Sequence, residues 1–69
     1  MNMVERILYL YLWKEELATK LGTNITNAEM TIFKEFGWWF EAISFERIAP
    51  DINDLVEWER KFTEIEKKL

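Results

Sequence analysis

Apolar residues along the chain fall into three runs, and the spacing within each is helical. In the first run Met3, Val4, Ile7, Leu10, Tyr11, Leu17, Ala18 and Leu21 recur every three or four positions, the pattern of one helix face. This predicts a helix over about 2–21. Lys14 interrupts the stripe at a place where a long aliphatic stem can lie along apolar surface with its amine in water. The segment ILYLYLW, residues 7–13, taken alone also reads as a buried strand, because Tyr and Trp favour strands. The run continues through KEELATKL, which is rich in helix formers, and its length favours the helix. Gly22 follows the last apolar residue, where a glycine with positive φ ends a helix.

The second run opens on ITNAEM. Thr26 is a helix N-cap and Glu29, three residues on, completes a capping box, with Ile25 and Met30 placed as a hydrophobic staple. The helix is predicted over about 27–48. Its inward stripe is Ile32, Phe33, Phe36, Trp39, Phe40 and Ile43, about 120° wide at 100° per residue. Gly37 lies inside it, at a cost of about 1 kcal/mol relative to alanine. It marks either a close helix crossing or a break, and the phase of Phe36, Trp39, Phe40 and Ile43 across it favours an unbroken helix.

Ala49-Pro50-Asp51 is the next turn, since the residue before a proline is pushed out of helical geometry and proline suits a first helical position. A third helix is predicted over about 50–69. Leu55, Trp58, Phe62, Ile65 and Leu69 form its narrow seam. Glu57–Lys61 and Glu64–Lys68 are i,i+4 pairs, and acids at its start and lysines at its end match the helix dipole. Three amphipathic helices joined by short turns give an all-α small three-helix bundle, one helical domain over 1–69.

Not every aromatic residue fits those stripes. Trp38 lies roughly 160° from the centre of the second helix's stripe, with Phe45 beside it. Tyr9 and Trp13 are a similar pair on the first helix. At 16% the aromatic content is high. A chain of 69 residues buries only about 60% of its unfolded surface, and domains this small usually lean on disulfides, metals or association. With no Cys and no His, disulfides and the usual zinc sites are excluded. Very good helix packing or association is left; the aromatic residues outside the stripes favour association, so a protein partner is expected, with a homodimer leading. The expected interface is centred on Tyr9, Trp13, Trp38 and Phe45, and Lys34 and Glu41 supply its polar rim.

Charge and chemistry narrow the picture further. The net charge of −4 and scattered basic residues disfavour nucleic acid. The apolar run at 7–13 is too short for a membrane span and lacks the flanks of a signal peptide, so no membrane partner and a cytoplasmic location are expected. Asn24-Ile25-Thr26 matches a glycosylation sequon, a pattern common by chance. Without His or Cys the familiar nucleophilic triads cannot form. The cluster Asp51-Ile52-Asn53-Asp54 lacks the ligands and glycine of a calcium loop and reads as helix caps. Two glycines make no phosphate loop. No enzyme activity and no cofactor are therefore expected. The function expected is a non-catalytic protein–protein interaction module. The alternative is a small inhibitor encoded by a virus or mobile element, which covers a functional surface of a larger complex.

Overall fold

The computed structural model describes residues 2–69; Met1, the first residue of the expected domain, lies outside the described residues. Three helices follow one another, α1 over Met3–Leu21, α2 over Asn27–Ser44 and α3 over Ile52–Glu66. Among the described residues there is no strand, so ILYLYLW is helical throughout. The chain is an all-α three-helix bundle.

Each helix begins on a side-chain cap. The Asn2 side chain accepts a hydrogen bond from the Glu5 N–H at 2.9 Å, and the Glu5 carboxylate accepts from the Asn2 N–H at 3.3 Å. Thr26 and Glu29 form the anticipated box at 3.1 and 3.0 Å. Ile25 packs against the core, but Met30, its intended staple partner, remains 45% exposed. The third helix starts two residues later than expected, because the Asp51 carboxylate accepts from the Asn53 N–H at 2.8 Å and takes the cap position. Pro50 thus precedes the cap and is not the first helical residue.

Two ends differ from the pattern reading. Gly22 has φ 53 as anticipated, and its N–H bonds the Ala18 carbonyl, but the chain then makes a short 3-10 turn over Gly22–Asn24. The second helix stops at Ser44, four residues before the expected end. Glu46 adopts φ 57, its N–H bonds the Ile43 carbonyl at 3.0 Å, and the Arg47 N–H bonds the Ala42 carbonyl at 2.8 Å. That is the Schellman closure of a helix, built on a glutamate where glycine usually stands. At the other end of α3, Leu69 falls outside the helix and is 53% exposed, so it does not extend the seam.

The core is Ile7, Leu10, Leu17 and Leu21 of α1, Phe33 and Phe36 of α2, and Leu55, Trp58, Phe62 and Ile65 of α3. Phe36 is its hub, with ring centroids 5.2 Å from Phe62, 5.4 Å from Trp58, 5.7 Å from Trp39 and 5.9 Å from Phe40. Arg6 pairs with Glu59, and Trp13 meets Phe62 edge-on at 5.6 Å, so α1 and α3 run side by side in the same direction. Tyr11 against Phe40 at 4.9 Å, and Lys68 within 3.5 Å of Glu29, show α2 running antiparallel to both. Val4 and Tyr11, expected inside, are 61% and 41% exposed. The helix is turned so that Trp13 and Lys14 approach the bundle in their place.

Candidate protein-binding surface

Of the eleven aromatic rings, four are buried (Phe33, Phe36, Trp58, Phe62) and three are half-buried against the core (Trp13, Trp39, Phe40). The other four, Tyr9, Tyr11, Trp38 and Phe45, are exposed, with Tyr9, Trp38 and Phe45 at 63–65%. On α1 the exposed Val4, Leu8, Tyr11 and Leu12 share one face at helical spacing, so the apolar surface there is a ridge and not isolated points.

The six residues expected to make one interface do not come together in one place. Tyr9 and Trp13 line a groove of about 510 Å³ between α1 and α3, with Leu12 beside them and Glu16, Glu59 and Glu66 around it. Its wall is fixed by the two-pronged Arg6–Glu59 pair, at 2.7 and 3.3 Å. Trp13 is half-buried and edge-on to Phe62, so its indole belongs largely to the fold. Glu41 and Phe45 line a second, smaller groove of about 280 Å³ between α1 and α2, together with Tyr11, Lys14, Gly37 and Phe40. Trp38 and Lys34 line neither groove and stand exposed on the outer side of α2. Sequence reasoning did not assign Tyr11, Lys14 or Gly37 to the candidate interface, although all three line this groove. The signal for Gly37 was its interior position in a helix, and a side chain there would meet nothing within 4 Å.

The charges around these surfaces are largely paired. Lys14 meets its neighbour Glu15 at 3.1 Å, Lys20 meets Glu16 at 2.9 Å, and Arg60 pairs with Glu57. The hydrogen bond and charge of Glu16 raise the Lys20 pKa, and the Arg60 hydrogen bond lowers that of Glu57. Among the described residues Glu29 is the one buried ionisable side chain, 2% exposed. The hydrogen bond from the Thr26 backbone N–H holds its pKa below the ordinary carboxylate value, against the opposing effect of burial, with further help from the Thr26 side chain and Lys68. This carboxylate is a structural cap facing neither groove lining. Among the described residues no group of three or more acidic residues could hold a metal ion, and no helix is long and apolar enough to cross a membrane. Comparison with protein-family models, with curated proteins and with solved structures finds no match.

Proposed function

We propose that this chain is a non-catalytic, cytoplasmic protein-interaction module that associates with itself through its uncovered apolar surface. The observation that carries the reading is the exposed ridge of Val4, Leu8, Tyr11 and Leu12 beside the exposed Phe45, on a molecule with a well-filled core. Tyr is a favoured anchor at protein interfaces, and a two-fold dimer is the commonest way to cover such a face. The test is sedimentation equilibrium of the purified chain over a wide concentration range. A reversible dimer that Phe45→Ala weakens, with helix content unchanged, supports it. A chain that stays monomeric at every concentration refutes self-association, and moves the reading to a module that covers a different protein.

A further inference from the structure

Gly37 lies inside α2, where glycine weakens a helix relative to alanine. Nothing among the described residues requires it, since a Cβ would have open space around it. It sits instead in the groove between α1 and α2. Tyr11 and Lys14 form the α1 wall of that groove, and Phe40, Glu41 and Phe45 the α2 wall. At Gly37 the backbone of α2 is therefore open to close approach from outside the molecule.

The two walls carry opposite charges, a cation from Lys14 on one and an anion from Glu41 on the other. A two-fold axis running along the groove lays the α1 wall of each copy on the α2 wall of its mate. The same two charges then meet twice, once on each side of the axis, as an interface of one patch with itself demands. Resting on the self-association proposed above, we infer that two copies pair across this groove, Lys14 of each facing Glu41 of the other, with Gly37 at the closest approach. Lys14 gives up little to do this, because its present partner is the adjacent, exposed Glu15. A full-sized interface takes about 800 Å² per copy. That is about a sixth of the 4885 Å² surface, so the ridge of Leu8 and Tyr11 must be covered along with the groove.

The experiment is sedimentation equilibrium of the full chain and four variants, with helix content checked by circular dichroism. Lys14→Glu and Glu41→Lys each place like charges together and should raise the dimer dissociation constant about tenfold or more. The double variant Lys14→Glu/Glu41→Lys should restore it. Gly37→Leu should keep the helix and weaken the dimer by a similar factor. A dimer indifferent to the charge reversals or to Gly37→Leu, or a double variant no better than the singles, overturns this geometry and leaves self-association to another face. A wild-type chain that never dimerises overturns both, and leaves the groove to a different protein.

Discussion

Replacing two neighbouring aromatics separates the ring surface that holds the fold from the ring surface that does not. Phe36 is 1% exposed and touches four other rings, so Phe36→Ala opens a cavity at the centre of the core. Phe→Ala changes of this kind cost about 3–5 kcal/mol. At about 0.05–0.15 kcal/mol per residue, a chain of this length has roughly 3–10 kcal/mol in total. The variant should be largely unfolded or close to it. Trp38 is 63% exposed, so little more than a third of its surface is covered in the fold. An aromatic side chain buries about 150–250 Å² when fully covered, which makes the covered part worth at most about 2 kcal/mol at 25 cal/mol per Å². Part of that cover comes from its own helix, and alanine is the better helix former, so the net loss for Trp38→Ala should be about 1 kcal/mol. Urea unfolding followed by circular dichroism at low protein concentration measures both without interference from association. Equal losses for the two variants would refute the division into inner and outer rings.

Three other perturbations test particular contacts. Glu29→Gln keeps the acceptor for the Thr26 N–H and removes the charge. The Glu29 pKa is lowered in the folded state, so its contribution is full above the ordinary value of 4.5 and is lost as pH falls through the depressed value. Urea midpoints from pH 7 down to pH 2 should show the wild type losing its advantage over this variant below about pH 4.5; a constant difference across that window would contradict the assignment. Glu46→Gly relieves a positive φ at the end of α2 and should gain about 0.5–1 kcal/mol, seen as a melting temperature higher by several degrees; a lower one would mean the side chain makes a contact worth more than the strain. The Trp39 indole N–H is buried without an acceptor, so Trp39→Phe should cost under about 1 kcal/mol in urea unfolding despite the smaller ring, and a loss above about 2 kcal/mol would show that the indole's bulk outweighs the unpaired donor.

What the sequence declares well is local. The capping box at Thr26, the break at Gly22 and the seam Leu55, Trp58, Phe62 and Ile65 follow from neighbours a few residues apart. The rotation of α1 was not legible, because almost every position from 7 to 13 is apolar. Periodicity loses its phase in such a run, and the face is chosen by the helices packed against it, which bring in Trp13 and leave Tyr11 outside. The end of α2 was hidden for a different reason. Its closure uses Glu46 at positive φ, and glutamate carries no signal for that conformation. The capping role of Glu29 could be read from ITNAEM, but its burial beneath the end of α3 depends on residues far along the chain. The residues of the candidate interface share helices but not a single side of the bundle, which spacing along one helix cannot show.

The size of the molecule does not by itself call for a partner. Monomeric proteins expose about 6.3 M^0.73 Å² of surface, which is roughly 4600 Å² at this mass. The chain exposes 4885 Å², only slightly more, so it closes on itself about as well as an independent protein does. Eight of its eleven rings take part in that closure, Tyr11 through its contact with Phe40. Apolar atoms also make up more than half of any protein surface, and a lone exposed ring therefore argues nothing. The case for association rests instead on arrangement. Exposed apolar residues on α1 line up at helical spacing, they adjoin a groove, and that groove contains a glycine that only weakens its own helix. Gly37→Ala consequently sets two quantities against each other. The added methyl group should stabilise the fold by about 1 kcal/mol and, if a second backbone comes close at that point, should loosen the dimer. A variant that raises both the melting temperature and the dimer affinity would leave the glycine without a role in association, and the groove without its strongest support.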